Sequence, residues 1–375
     1  MTVTAAGSAE DLRRRLTDHL VREGVLCHPR LVEAFATVPR ERFVPSFSVR
    51  TSEGQRAFRS DTPGYLEMVY SDTSLITLRD SAGVAISSST LPRLMALMLE
   101  ALPAQDDATV LEIGTGTGYN AALLCERYGD GRVVSVDVDP QLTAAAVSRL
   151  TEAGYGPTVV TGDGTLGHLA RAPYAAILAT CGLPRIPAAW LTQLAPGGQV
   201  VANLGAGLAV LTETDGALHG HFLAEGASFM TARRVAEENA PRQSADTTLL
   251  LGATGSTETI SPPCDVTEPV PKFLAGLLHH DTVDLTFIRD DGTPVHAIQH
   301  RATGDWARLV PGDDGTAQLD HGGARNLWAE RLEILAEWDQ AGRPAPDRYG
   351  LTVTSDGAHT LWLDSPEGPV RPLPA

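Results

Sequence analysis

Val110-Leu111-Glu112-Ile113-Gly114-Thr115-Gly116-Thr117-Gly118-Tyr119 is the stretch that decides how this chain folds. A short apolar run meets glycines at alternate positions, and a second apolar stretch follows from Ala121 to Tyr128. The order predicts a strand, a tight turn and a helix, because glycine enters positive φ freely and lets backbone approach a ligand closely. Further short apolar runs at Arg132–Val136, Thr158–Val160, Ala175–Ala179 and Gln199–Asn203 are strand-like. A second helix is expected over Leu142–Leu150, started by Asp139-Pro140. Strands that alternate with helices predict a mostly parallel, doubly wound α/β sheet covered on both faces.

Outward from this centre the pattern changes. Leu12, Leu16 and Leu20, then Leu31 and Phe35, lie at helical spacing, and Pro29 between them predicts two helices. Another helix is expected over Leu91–Leu102, with Pro92 in its first turn, where a missing N–H costs little. The lead-in, residues 1–105, therefore reads as helical. Beyond Arg234, the polar run Glu237-Glu238-Asn239-Ala240-Pro241 marks an expected boundary between domains 1–234 and 235–375. In the second, Val283 to Phe287 alternates, Asp291-Gly292 turns and Val295 and Ala297 resume, which is a hairpin pattern. Leu351–Val353 and Leu361–Leu363 flank Ser355-Asp356-Gly357, and Leu327, Trp328, Leu332, Leu335 and Trp338 form one helical face. An α+β extension is expected.

Composition bounds the function. The 375 residues carry 29 basic and 46 acidic side chains, a formal net charge of -17, and Lys272 is the only lysine. That field repels a polyanion, which argues against a nucleic-acid partner. No apolar run approaches the ~20 residues that cross a bilayer, and Met1 to Glu10 lacks a basic, apolar leader. Cys27, Cys125, Cys181 and Cys264 are scattered without metal-ligand or redox spacing and read as small buried hydrophobes. A cytoplasmic protein with no membrane contact is expected.

Three features converge on a nucleoside cofactor. The glycine turn is the first. Asp137, ending the next strand, is placed to accept from ribose hydroxyls. Gly162-Asp163-Gly164, after a further strand, offers a carboxylate to an adenine amino group. The spacing Gly114-x-Gly116-x-Gly118 is not the Gly-x-Gly-x-x-Gly that seats a pyrophosphate, and Glu112 just before it would repel one while suiting a cation. A sulfonium cofactor, S-adenosylmethionine, fits that pattern.

The ordered motifs resemble the protein-L-isoaspartate O-methyltransferase family over about Leu12 to Arg233. The leader Val38-Pro39-Arg40-Glu41-Arg42-Phe43-Val44, the turn Gly114 to Asn120, Gly162-Asp163-Gly164, and Ile186-Pro187 with Leu191, Gln193-Leu194 and Gly197-Gly198 carry the resemblance. It implies a Rossmann-like class I methyltransferase sheet that binds S-adenosyl-L-methionine and releases S-adenosyl-L-homocysteine. The implied cofactor set is Ile86, Ser89, Glu112, Gly114, Thr115, Gly116, Gly118, Tyr119, Asn120, Asp137, Val138, Asp163 and Gly164, with no metal. Gly83-Val84-Ala85-Ile86-Ser87-Ser88-Ser89 corresponds to the family's active segment and puts Ser87, with Ser88 beside it, on the substrate carboxylate. Val84 and Ala85 stand where that family has Gln and Thr. Tyr174-Ala175-Ala176-Ile177 lacks its acid, and Asn203 to Leu208 lacks its glutamine.

The tail, including Asn326-Leu327-Trp328, Tyr349-Gly350-Leu351 and Leu361-Trp362-Leu363-Asp364, resembles the extension of a subgroup that acts on ribosomally made, modified peptides. The resemblance implies methylation of an ordinary aspartate in a precursor peptide cyclised by an ATP-grasp ligase or a lanthionine synthetase. The ester then collapses to an aspartimide, which persists or opens to isoaspartate. The alternatives are a general isoaspartate repair enzyme and, from another class, a non-catalytic peptide-binding component. Plainer readings stand beside these. Ser89 or Thr90 would cap the helix at Pro92. His219-Gly220-His221 and His279-His280 lack partners for a metal site. Trp306, Trp328, Trp338 and Trp362 are expected in the core.

Overall fold

A computed structural model describes residues 7–374 apart from 52–53, 82, 104, 234–249, 251, 262–267, 290 and 313–314. Ten strands form the main sheet. Five of them run parallel, β5 (Val110–Ile113), β6 (Val133–Asp137), β7 (Thr158–Thr161), β8 (Tyr174–Leu183) and β9 (Leu194–Leu204), in the order β9-β8-β5-β6-β7. These are the strands expected from the sequence. Alternation divides their side chains between two cores. Val110, Val133, Ala176, Leu178 and Val201 meet the N-terminal helices, whereas Leu111, Ile113, Val134, Ile177 and Val200 face Trp190 and the C-terminal elements.

Helix α6 (Tyr119–Tyr128) starts directly from the glycine turn, with Gly118 at φ 89° as its N-cap. Helix α7 (Pro140–Ala153) begins as expected: Asp139 Oδ1 accepts from the N–H groups of Gln141 (2.9 Å) and Leu142 (3.3 Å). The two N-terminal helices also form, α1 (Ala9–Arg22) and α2 (Pro29–Thr37), as does α5 (Pro92–Glu100). The cap of α5 is Leu91 without a side-chain bond, so neither Ser89 nor Thr90 caps it.

The lead-in is not wholly helical. Between α2 and α5 stand short helices α3 (Arg40–Phe43) and α4 (Tyr65–Val69) and a small antiparallel sheet. Its strands are β1 (Ser46–Thr51), β2 (Gly54–Arg59), β3 (Leu75–Arg79) and β4 (Ala85–Ser89), in the order β2-β1-β3-β4. Phe47, Val49, Phe58 and Leu75 face the core while their neighbours face solvent, a period of two that overrides a helical reading. The serine run is thus the strand β4.

The expected boundary at 234/235, with the run Glu237–Pro241, lies outside the described residues. The C-terminal strands are divided between the main sheet and a sheet of their own. Strands β10 (Gly207–Thr214) and β11 (Ala217–Phe222) extend the parallel half antiparallel. Strand β17 (Tyr349–Val353) then pairs with β11, Leu218 opposite Val353 and Gly220 opposite Leu351, and β18 (His359–Leu363) and β19 (Val370–Pro372) follow outward. The C-terminal hairpin covers what would otherwise be an open edge. The Ile186 N–H donates to His359 Nε2 at 2.9 Å, and Phe222, Phe273 and Tyr349 stack edge-on in sequence, joining the same parts again.

The remaining C-terminal residues form a five-stranded antiparallel sheet, β12 (Ser256–Ile260), β13 (Thr282–Ile288), β14 (Pro294–His300), β15 (Trp306–Pro311) and β16 (Ala317–Gly322), in the order β12-β16-β15-β14-β13. The expected β13–β14 hairpin is among them, and the expected apolar helix spans Leu327–Gln340. The four C-terminal tryptophans are buried. Cys125 is buried, Cys181 is half-buried and Cys27 is exposed, against the expectation that all are core residues; Cys264 lies outside the described residues.

Candidate active site

A cavity opens beyond the carboxyl ends of β5, β6 and β8, where an open α/β sheet binds its ligands. Its floor is the turn Gly114 to Thr117, its sides are Asp137 and Val138 on one hand and Gly164 on the other, and strand β4 faces it with Ile86, Ser87, Ser88 and Ser89. Tyr119 and Asn120 line it from the first turn of α6. Most of the residues singled out in the sequence therefore meet at one place, although β4 and β5 belong to different sheets.

The three glycines have different reasons to be glycine. All have positive φ, at 100°, 52° and 89° for Gly114, Gly116 and Gly118. A Cβ on Gly114 would lie 2.8 Å from Thr180 Oγ1, and one on Gly118 would lie 3.3 Å from the Ala146 Cβ of α7. Their small size serves the protein's own packing. Gly116 alone sets bare backbone against β4, where its Cβ would meet Ser87 Oγ and the Ser88 carbonyl at 3.7 Å. Gly118 does not line the cavity.

Glu112 and Asp163 are likewise set back from the cavity wall. Glu112 is fully buried beneath the turn: Oε1 accepts from Asn120 Nδ2 (2.8 Å) and Oε2 from Ser135 Oγ (2.5 Å). Loss of hydration pushes its pKa up to about 7 against the pull of those two hydrogen bonds. Contrary to the expectation from the sequence, Glu112 thus does not itself face the cavity; it holds Asn120, whose Oδ1 is buried at the cavity with no hydrogen-bond partner. Asp163 turns its Oδ1 to Thr165, accepting from N–H (2.9 Å) and Oγ1 (2.7 Å) to cap a short turn, and leaves Gly164 and Thr165 on the wall. Asp137 does reach the wall. Its Oδ2 accepts from the Gly116 N–H (2.9 Å) and its Oδ1 from the Asp139 N–H (3.1 Å), so the carboxylate also holds the glycine turn in place.

On the facing strand, Ser87 is almost fully buried, and its Oγ accepts from Thr77 Oγ1 (3.2 Å). Ser89 Oγ accepts from Arg40 Nε (3.3 Å). Arg40, inside the leader motif, is completely buried and also donates to the carbonyls of Val69 (2.8 Å), Ser71 (3.3 Å), Thr73 (3.3 Å), Ser89 (3.3 Å) and Thr90 (3.0 Å). The motif's arginine is what fastens β4 opposite the glycine turn.

Sequence reading missed two parts of the wall. Thr180 and Cys181 come from the end of β8, a position that topology marks as ligand-facing. Phe229 to Arg233 form a strap across the cavity. It is held by Asn203, whose Oδ1 accepts from the Phe229 N–H (3.4 Å) while its Nδ2 donates to Ala227 O (2.7 Å) just before the strap, and by paired backbone bonds of Gly182 with Met230 and Ala232. Arg233 ends the strap on Asp139, 3.4 Å away. No periodicity or motif announces such an irregular segment.

A parallel sheet with a glycine turn, an acid at the next strand end and a cavity above both defines a class I methyltransferase architecture. The comparisons with known proteins give the family. Residues 11–222 match the model of protein-L-isoaspartate(D-aspartate) O-methyltransferase. The protein-L-isoaspartate O-methyltransferase of Ignicoccus hospitalis is 37% identical over 194 residues, covering 51% of this chain and 81% of that one. That of Methanopyrus kandleri is 37% identical over 196 residues, 52% of this chain and 76% of the other. A solved protein-L-isoaspartate O-methyltransferase superposes over 94% of this chain and all of its own, with 25% identity and a TM-score of 0.57. The chain belongs to the protein-L-isoaspartate O-methyltransferase family, S-adenosylmethionine-dependent enzymes that methylate carboxyl oxygens. Among the described residues, no helix is long and apolar enough to cross a membrane.

Proposed function

We propose that this chain methylates the side-chain carboxylate of an ordinary aspartate in a cyclised ribosomal precursor peptide, and that the following residue's backbone nitrogen then attacks the ester carbonyl, gives up its proton and expels methanol to close an aspartimide. The observation that carries the reading is the division between the two walls. The cofactor wall keeps its glycine turn and Asp137, while strand β4 reaches Ser87 through Val84 and Ala85, which precede the cavity lining, with Val84 exposed. Where the family has an amide and a hydroxyl, the approach to Ser87 presents two apolar side chains just outside the cavity lining, which suits a preformed ring better than a flexible, hydrated chain. A second reading, general isoaspartate repair, is favoured by the solved family member that superposes over 94% of this chain, well beyond residues 11–222.

The cavity's groups fit S-adenosylmethionine. Asn120 Oδ1 is an unpartnered acceptor for an ammonium group, Asp137 is an acceptor at the strand end where a ribose is held, and Gly116 keeps the floor free of side chain. Ile86, Ser89, Gly114, Thr115, Tyr119, Val138 and Gly164 complete the proposed contact set, with Glu112, Gly118 and Asp163 supporting it from behind. Bound there, the cofactor supplies an electrophilic methyl group with its own leaving group. A carboxylate with a reference pKa near ~4 is ionised at neutral pH, so the protein needs to position rather than deprotonate it. Ser87 accepts from Thr77, which leaves the Ser87 proton to donate to the substrate oxygen. Such alignment contributes on the order of 7–11 kcal/mol.

Mass spectrometry tests the reading. The enzyme and S-adenosylmethionine are incubated with an isoaspartyl peptide and, separately, with linear and cyclised forms of a candidate precursor peptide. A gain of one methyl, or loss of water, on the cyclised form supports the proposal. Turnover of the isoaspartyl peptide alone refutes it and leaves the repair reading.

A further inference from the structure

We propose that the solvent-facing side of the β2-β1-β3-β4 sheet is a docking surface for an acidic segment of the peptide substrate, flanking the residue that is methylated. The inference rests on the reading of the substrate as a peptide carboxylate presented to Ser87, and it names the charge that the surrounding sequence should carry.

The register shows how the surface meets the cavity. Ser88 of β4 stands opposite Ile76 of β3, Ile76 opposite Ser48 of β1, and Ser48 opposite Ala57 of β2. The alternate residues Phe47, Val49 and Phe58 are buried, so the Ser88–Ile76–Ser48–Ala57 row lies on the outward face. Ser88 also meets the cavity through its carbonyl, which faces Gly116, so the outward surface begins one residue from Ser87, across the strand from the cavity.

Charge sets this face apart. Two residues along from the row on one side is Arg59, opposite Ser46; two along on the other side is Arg50, opposite Gln55. By the same alternation both point outward, and both are exposed. Among the described residues, no salt bridge or side-chain hydrogen bond engages either guanidinium. In a chain of net charge -17, two unpaired arginines bracketing a path from the active site favour one kind of visitor. A segment bearing Asp or Glu gains there and is repelled over most of the remaining surface. Strands about 4.8 Å apart and residues about 3.4 Å apart put Arg59 roughly 16 Å from Ser88, the span of about four or five extended residues.

The test uses the full chain and paired synthetic peptides with one methylation site, carrying either two Glu or two Gln four and five positions away from it. Each pair is made with a cyclised aspartate and with an isoaspartate, and the Glu/Gln ratio of kcat/KM is read on whichever form turns over. The choice between the two forms decides the proposed function; the ratio decides this inference. With the native chain the Glu peptides should lead by roughly fivefold to tenfold in KM at low salt, with kcat little changed and the advantage lost at high salt. The Arg50→Gln/Arg59→Gln variant should abolish the preference while keeping activity on the Gln peptides. Arg50→Glu/Arg59→Glu should reverse it toward lysine-bearing peptides. An equal response to Glu and Gln peptides in the native chain, or a preference that survives both variants, overturns the proposal.

Discussion

Replacing Arg40 with methionine separates the support of the site from its chemistry. Arg40 donates six hydrogen bonds from a fully buried position, five of them to backbone carbonyls and two of those at 3.0 Å or shorter. Burial brings its pKa down to about 10, which still leaves it charged at neutral pH. Methionine fills the stem's volume but strands the carbonyls, each costing about 1–3 kcal/mol when buried without a partner. The desolvation that the guanidinium no longer suffers offsets part of this. Counting the two short bonds fully and the longer ones weakly, the loss is about 3–5 kcal/mol. For a chain of 375 residues this lowers Tm by roughly 5 °C.

The same substitution frees Ser89 and Thr90, and with them the end of the strand that presents Ser87. A displacement of about 1 Å at the reacting groups costs on the order of a hundredfold in rate. Differential scanning calorimetry, titration of S-adenosylmethionine and steady-state methyl transfer are to be read together. The expected result is a lower Tm, a kcat reduced by ten- to a hundredfold, and cofactor affinity within about threefold of native. Arg40→Lys, with three donors for six acceptors, should fall between. A Tm within 1 °C of native, or a destabilised enzyme with unchanged kcat, refutes the assignment of Arg40 to strand β4.

Other outcomes follow from the same structure. Glu112 binds its proton more tightly in the folded chain, up to about 7, so stability without cofactor should decline as pH rises from about 4.5 to 7. Denaturant titrations across that range should show the decline, and Glu112→Gln should flatten it. His359 behaves oppositely: burial lowers its pKa to about 4, and its neutral ring accepts from the Ile186 N–H. Its contribution is complete above about 6.5 and fades as pH falls toward 4, so the hydrogen-exchange protection factors of β17 and β18, taken against the intrinsic rate at each pH, should fall over that interval. Gly350→Ala places a Cβ 2.0 Å from the Trp362 ring, and chemical denaturation should report a loss of about 1–3 kcal/mol. Ser87→Ala should lower turnover far more than cofactor affinity, measured by single-turnover kinetics and calorimetry; an unchanged rate removes Ser87 from the reaction.

The sequence by itself determined the parallel half of the sheet, because strands buried on both faces and bounded by glycines and caps leave a local signature. Val110–Ile113, Val133–Asp137 and the Asp139 cap are legible for that reason. It also singled out Gly116, Asp137 and Ser87, through order and resemblance, and all three line the one cavity. Tertiary structure decided what those residues touch. Nothing local indicates that Glu112 serves Asn120 and Ser135, that Asp163 bends back to Thr165, or that Arg40 holds a strand fifty residues away; these bonds depend on long-range contacts. The small sheet was hidden by its short strands. The strap at Phe229–Arg233 has no period at all, and the joining of β17 to β11 depends on which edge needed covering. Local pattern reports how a residue is buried; only the assembled fold reports against what.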